Sequence, residues 1–250
     1  MTSLPAFDPR ASAVEPKTPE PALPRQALSF QSLSPILLQA QQQPGFPQWA
    51  PELLRDRRRP EQPIDPDKAV RASVLITLVG YDSPSVVMTT RTPHLSSHAG
   101  QISFPGGRAE SHDPDPATTA LREAQEEIGL DQQGVQVVGQ LPDYLTVTGF
   151  RVTPVIGWVK TTPTLRPDPR EVDDIFIVPL DFLMNPANHQ MRQVSADRSP
   201  TRETIRFYAM PYCCPEHGGR EFFIWGATAA MIRNLYHFVY AGWTQTHLRP

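Results

Sequence analysis

Between Asp115 and Gly129 the chain writes a helix whose two faces ask for different surroundings. Asp115 followed by Pro116 is an N-cap with proline at the first helical position, and Gly129 stands where a left-handed C-terminal residue belongs. These signals predict a helix over 116–128. Leu121, Ala124 and Ile128 recur at i, i+3 and i+7 and need a core to pack against. At about 100° per residue, Glu123, Glu126 and Glu127 share another face. Like charges at that spacing oppose a helix by roughly a few tenths of a kcal/mol per pair. A solvated acidic face is the commoner explanation of a charge cluster. A hard divalent cation, Mg²⁺ or Mn²⁺, would instead turn the repulsion into ligation, because such ions take carboxylate oxygens and leave other positions to water and phosphate.

Around this helix the periodicity changes to that of strands. Ser73–Val79 and Ser85–Thr90 are rich in Val, Ile, Leu and Thr and flank the turn-forming Gly80–Pro84, so they read as a paired hairpin. Residues 135–141, 150–159, 175–178, 204–210 and 221–224 read as further strands, and Met231, Ile232, Leu235, Phe238 and Val239 repeat at helical spacing. Two helices flanking a mixed sheet place the chain in the α/β class.

The residues before and within the helix carry a family resemblance. Gly107, Asp113 and Arg122-Glu123-x-x-Glu126-Glu127-x-Gly129-Leu130 resemble the Nudix box of hydrolases that act on nucleoside-diphosphate-linked compounds. Asp113 stands where the usual pattern has Glu, and eight residues separate it from Arg122 instead of seven. That spacing is similar to the subgroup that cleaves coenzyme A. Upstream, Arg91-Thr92-Pro93-His94-Leu95-Ser96-Ser97-His98-Ala99-Gly100 running into Phe104-Pro105-Gly106-Gly107 resembles the second signature of the same subgroup. Ordered matches continue through 147–155, 171–180 and 223–229, so the resemblance covers about residues 70–240.

The resemblance implies an α/β/α sandwich with a central mixed sheet and a catalytic loop-helix, in a domain at 69–250 preceded by a Pro-rich extension at 1–68. It implies a metal-dependent pyrophosphohydrolase using Mg²⁺ or Mn²⁺. Glu123, Glu127 and Glu126 are the candidate metal ligands, with the main-chain carbonyl near Gly107; Arg122 is assigned the task of orienting a helical Glu. Glu123 is one candidate for the general base and Glu171 the other. Arg91, His94, His98, Gly106 and Gly107 are candidates for binding the substrate's phosphates. The implied substrate is coenzyme A or an acyl derivative. ADP-ribose, a dinucleotide such as NADH or a noncanonical nucleoside triphosphate are alternatives, and a non-catalytic nucleotide-binding module is a third.

Composition sets the remaining bounds. Of the 29 prolines, six crowd positions 5–24, where no apolar period is sustained. Disorder is expected for residues 1 to about 26, and their removal is expected to leave activity nearly intact. Residues 28–54 hold scattered apolar side chains suited to short packed helices. A net charge of −3 gives no general attraction to nucleic acid or anionic membrane, and Arg55–Arg59 reads as a solvated linker. Cys213 and Cys214 are adjacent, a poor geometry for a disulfide, and with His217 they lack a fourth zinc ligand; packing or a surface loop accounts for them better. No signal peptide and no run of roughly 18 apolar residues is present, so a cytoplasmic protein acting on a small molecule is expected.

Overall fold

Residues 70–79 and 150–159 carry buried side chains on both faces through most of their length, the pattern of a strand covered from two sides. They lie side by side and parallel, in register from Val70↔Phe150 to Val79↔Val159. The computed structural model describes residues 8–42, 65–93, 100–146, 148–195, 199 and 204–247. In chain order its elements are β1 (Ala13–Val14), α1 (Phe30–Gln42), β2 (Val70–Val79), β3 (Ser85–Arg91), β4 (Ile102–Ser103), β5 (Gly106–Arg108), α2 (Pro116–Ile128), β6 (Gln136–Gln140), β7 (Tyr144–Leu145) and β8 (Phe150–Val159). They continue with β9 (Val172–Pro179), α3 (Leu180–Leu183), β10 (Gln190–Val194), β11 (Ile205–Cys214), β12 (Arg220–Trp225) and α4 (Ala227–His247).

An eight-stranded mixed sheet runs β4-β3-β2-β8-β6, with β5 on β2, β7 on β8 and β9 on β3. The edge of β2 away from β8 is shared. β3 pairs there only at Leu78 and Val79, and β5 takes over at Ala72–Val74. This split admits the Phe104–Arg108 segment next to β2 and delivers the chain to the start of α2.

One face of the sheet is covered by α2. Ala120, Ala124 and Ile128 are fully buried against Leu75, Val87 and Val155, with Leu121 at the margin of the stripe. The opposite face packs against α1, α4 and a second, antiparallel sheet in the order β1-β10-β11-β12. Phe176 of β9 stacks on Phe222 of β12 with ring centroids 3.8 Å apart, and Phe30 of α1 meets Trp158 of β8 edge-on at 4.9 Å. The mixed sheet and its flanking helices establish the α/β class. The second sheet is an addition to the expected layout: β11 largely alternates buried with more exposed positions, and β12 buries Phe222, Phe223 and Ile224 in succession, Phe222 and Ile224 joining the main core and Phe223 a smaller cluster with Phe207.

The expected disorder of residues 1 to about 26 is corrected from Asp8 onward. Ala13 and Val14 pair with Gln193 and Arg192, Tyr236 Oη donates to the Pro21 carbonyl at 2.6 Å, and Ala27 and Leu28 are buried. Glu20 pairs with Arg233, which is only 5% exposed. Specific polar contacts hold this segment, so it needs no apolar period. The basic run Arg55–Arg59, together with Phe46, Trp49, Leu53 and Leu54, lies outside the described residues. Among the described residues no helix is long and apolar enough to cross a membrane.

Candidate active site

The acidic helix begins and ends as its caps dictate. Asp115 accepts from the Thr118 amide at 2.8 Å, and Gly129, at φ +65°, donates its N–H back to the Gln125 carbonyl at 2.9 Å. Burying Ala120, Ala124 and Ile128 fixes the rotation of the helix, and that rotation places the three carboxylates at three depths. The side chain of Glu127 is 3% exposed, Glu123 15% and Glu126 58%.

Glu127 lies deepest, against β5 and the end of β3. Its Oε2 accepts from the Gly106 N–H at 3.1 Å, and its Oε1 is 3.4 Å from Nη1 of Arg91. Gly106 can reach it because a Cβ there would stand 2.3 Å from the Ser73 carbonyl oxygen. Gly107 is constrained from the other side: a Cβ would stand 2.5 Å from the Glu123 carboxylate. The two glycines of Phe104–Gly107 therefore let the backbone pass between β2 and the acidic face.

Arg122 gathers the outer residues. Its Nη1 donates to Glu123 Oε1 and to Glu126 Oε2, both at 3.0 Å, and its Nη2 donates to the Arg108 carbonyl at 3.0 Å. Nε and Nη2 donate to Asp113 at 3.2 and 2.9 Å. Asp113, its side chain 1% exposed, also accepts from the Glu110 amide and the Thr119 hydroxyl, each at 3.0 Å. The residue left open by sequence spacing is thus the anchor of Arg122. The Arg122 guanidinium and these donors hold the Asp113 carboxyl well below the usual carboxylate range.

Glu171 arrives by a route that no local pattern announces. The amides of Arg166 and Asp168 donate to the Ile128 and Glu127 carbonyls at 2.9 and 2.8 Å, which seats the 166–172 segment on the C-terminal end of α2. The Thr92 amide donates to the Glu171 carbonyl at 3.0 Å, joining that segment to the end of β3. The Glu171 side chain is half exposed and 3.9 Å from Nη2 of Arg91. Arg91 therefore stands between Glu127 and Glu171. His94 and His98 lie outside the described residues.

Burial pushes the Glu127 carboxyl up to about 7; the Gly106 N–H and Arg91 oppose the shift, while Glu171 and Glu123 add to it. Glu123 is raised in the same sense, by burial first, against the pull of Arg122 and with the repulsion of Glu126 and Glu171. Glu123, Glu126, Glu127, Glu171 and Asp113 outnumber Arg91 and Arg122, and every donor atom is oxygen. Such a set fits a hard divalent cation. Among the described residues no three His, Cys, Asp or Glu side chains converge closely enough to hold a metal, since Glu123 and Glu126 turn toward Arg122 while Glu127 turns toward Gly106 and Arg91. Elsewhere, Cys213 is exposed and Cys214 buried; the Cys214 thiol lies 3.3 Å from both Glu216 Oε2 and His217 Nδ1, with no disulfide.

Residues 68–198 match the NUDIX domain family. An uncharacterized Nudix hydrolase, NudL, from Pectobacterium atrosepticum is 37% identical over 165 residues, 66% of this chain and 80% of that protein. The NudL protein of Salmonella typhimurium is 36% identical over 177 residues, 71% of this chain and 86% of that protein. The crystal structure of a Nudix hydrolase from M. smegmatis, RenU, superposes with a TM-score of 0.40 and 23% identity, covering 45% of this chain and 72% of that one. The chain belongs to the NUDIX family and is a hydrolase of its pyrophosphate-cleaving class.

Proposed function

We propose that the protein hydrolyses the pyrophosphate linkage of coenzyme A or an acyl-coenzyme A, releasing 3′,5′-adenosine bisphosphate and the 4′-phosphopantetheine portion. One observation carries the choice of substrate. The segment similar to the coenzyme A signature opens on Arg91, and Arg91 reaches the most buried carboxylate of the acidic helix, 3.4 Å from Glu127. The first residue of that segment therefore meets the helix.

Glu123, Glu127 and Glu126, with the Gly107 carbonyl, are the groups to hold Mg²⁺ or Mn²⁺, which when bound supplies neutralisation of the phosphate oxygens and activation of water. Arg122 is itself fixed by Asp113 and holds Glu123 and Glu126 in orientation. The proton of the attacking water passes to a carboxylate, with Glu123 and Glu171 as the candidates. Glu171 is the more exposed of the two and has free reach toward substrate; Glu123 is the better oriented. Arg91, beside Glu127 and Glu171, is the group to meet the substrate's phosphates, with His94, His98, Gly106 and Gly107 as the further candidates. The substrate is a small soluble molecule, and a cytoplasmic setting suits it.

The deciding experiment compares coenzyme A, an acyl-coenzyme A, ADP-ribose and NADH under Mg²⁺ and Mn²⁺, with products identified by mass. Release of 3′,5′-adenosine bisphosphate at the highest kcat/KM of the panel supports the proposal. Preference for ADP-ribose or NADH overturns the choice of substrate while leaving the hydrolase class intact.

A further inference from the structure

β9 joins the end of β3 one residue out of step. Thr90 pairs with Asp174 but Arg91 pairs with Val172, so Asp173 is left over and the strand bends where it begins. Val172 is buried in the core beneath α2, while Glu171 stands outside it, half exposed and 3.9 Å from Nη2 of Arg91. A carboxylate that open is not fixed by its own contacts. Its place is set by the backbone that carries it.

That backbone is held from two directions. On one side the Asp168 amide donates to the Glu127 carbonyl at 2.8 Å, and Asp168 closes a turn: its carbonyl accepts from the Glu171 and Val172 amides at 3.0 and 2.8 Å, and its Oδ1 from the Arg170 amide at 2.9 Å. On the other side is Thr92, which donates twice. Its amide reaches the Glu171 carbonyl at 3.0 Å and its hydroxyl the Arg170 carbonyl at 3.3 Å. These carbonyls belong to the two peptide planes that flank the Glu171 Cα, so one residue grips both. Thr92 is buried, which keeps water from competing for either bond. Its own position is fixed by the closed neck before it, where the Arg91 amide donates to the Gln101 carbonyl and the Gly100 amide to the Arg91 carbonyl, each at 3.0 Å.

We propose that Thr92 is a positioning residue for hydrolysis, holding Glu171 at a set distance from Arg91 and the acidic helix. The inference rests on the reading of Glu171 as a carboxylate that takes the proton of the attacking water. A base has to stand within hydrogen-bond reach of that water, and small misplacements are costly in rate. The hydroxyl is the part of Thr92 that secures the peptide ahead of Glu171, so valine cannot replace it and serine can.

Steady-state hydrolysis by the full-length protein at saturating Mg²⁺ is measured with whichever of coenzyme A, an acyl-coenzyme A, ADP-ribose and NADH is turned over best, which separates the outcome from the choice of substrate. Thr92→Val keeps the shape and the amide bond and removes the hydroxyl; kcat should fall about tenfold with KM within about twofold of the parent. Thr92→Ser should recover most of the loss, and Thr92→Ala should not. Glu171→Gln alone should lower kcat by on the order of 10², and adding Thr92→Val to it should cost less than about twofold more. A merely structural role would cost the same in both backgrounds. Hydrogen exchange on the metal-free proteins reads the clamp without turnover: amides of residues 168–172 should exchange faster in Thr92→Val than in the parent or Thr92→Ser, with thermal melts confirming the fold. Full activity in Glu171→Gln removes Glu171 from the reaction and the proposal with it. A loss there, with an equal cost of Thr92→Val in both backgrounds or with unchanged exchange in this segment, overturns the role of Thr92 alone.

Discussion

Asp113 and Arg122 are joined by two parallel hydrogen bonds, Nε to Oδ1 at 3.2 Å and Nη2 to Oδ2 at 2.9 Å, with the Asp113 side chain only 1% exposed. The remaining guanidinium nitrogen is thereby aimed at Glu123 and Glu126. A planar fork held at one end positions what it touches at the other.

Asp113→Asn keeps the shape and removes the charge. Arg122 retains the Arg108 carbonyl, Glu123 and Glu126, so folding should survive at a cost of about 2 kcal/mol, within the range for weakening a hydrogen bond to a charged group. Turnover should fall about tenfold with KM little changed, because the loss is one of orientation. Urea melts and steady-state kinetics on the purified variant measure both, and unchanged kcat would remove Asp113 from the site.

Glu127 gives a prediction in which stability and activity move in opposite directions. Its folded pKa, about 7, lies above the usual carboxylate value, so the folded state binds the extra proton and this group's contribution to stability is lost as pH rises from about 4.5 through 7. Glu127→Gln removes that penalty while keeping an acceptor for the Gly106 N–H. In metal-free buffer the variant should be more stable than the parent at pH 8, by up to about 3 kcal/mol, and no more stable near pH 4.5. With Mg²⁺ the parent should gain stability and the variant much less. Turnover should drop by on the order of 10² or more. Thermal melts at the two pH values with and without Mg²⁺ test the set, and equal metal-induced shifts would count against Glu127 as a ligand.

What could be read from the chain and what could not divides by range. The helix Pro116–Ile128 has the predicted bounds because its caps, stripe and acidic face all lie within fifteen residues of sequence. Phe150–Val159 was legible for the same reason, as a local stretch rich in Phe, Val, Ile and Trp. Its parallel pairing with β2 was not, since β2 and β8 meet 80 residues apart in sequence and nothing local names the partner. The second sheet was hidden likewise: β11 and β12 were legible singly, β1 and β10 were not read as strands, and the separation of this sheet from the mixed sheet is a tertiary outcome. Arg91 and Glu127 were each singled out for other tasks, and their contact follows only from the split edge of β2. Asp113 was visible as a motif position, while its role required seeing where Arg122 bends.

The N-terminal segment reverses an expectation drawn from its prolines. Arg233 is 5% exposed and meets Glu20, the His189 ring at 3.2 Å and the faces of Tyr208 and Tyr236 at 5.3 and 5.2 Å. Glu20 is the carboxylate partner of this buried cation; burial raises its pKa, but the Arg233 hydrogen bond and charge outweigh that and bring it down. Removing residues 1–24 strands the guanidinium, and breaking a buried pair by deleting one partner costs about 3–5 kcal/mol. The truncated protein should therefore unfold at distinctly lower urea. Activity per folded molecule should persist, since no catalytic candidate lies in this segment. A truncation with an unchanged midpoint would show that the pair contributes nothing.

His189 lies at the far end of the same network, fully buried, with Nε2 2.6 Å from the Leu183 carbonyl and Nδ1 3.2 Å from Nη1 of Arg233. Arginine only donates, so Nδ1 accepts and Nε2 carries the hydrogen: the ring is neutral in a fixed tautomer. A second proton would cost the Arg233 bond and set two cations together. Burial, aided by the Arg233 and Lys17 charges and opposed by the Leu183 carbonyl and Glu20, lowers its pKa to about 4, and burial with Arg233 lowers His237 to about 4 as well. For His189 the folded state binds fewer protons than the unfolded one between pH 6.5 and 4. Stability from this group is complete above 6.5 and falls by up to about 3 kcal/mol as pH drops to 4. His237 acts in the same sense as His189, and Glu127 runs the other way over nearly the same interval, so the parent protein's loss of stability on acidification is the sum of the two histidine contributions offset in part by Glu127. Glu127→Gln exposes the full histidine contribution: its stability should decline more steeply from pH 6.5 to 4 than the parent's. Urea melts of both proteins across that range, with NMR titration of the His189 ring, separate the terms. A His189 midpoint near 6.5, or parallel pH profiles for parent and variant, would refute the opposed pair.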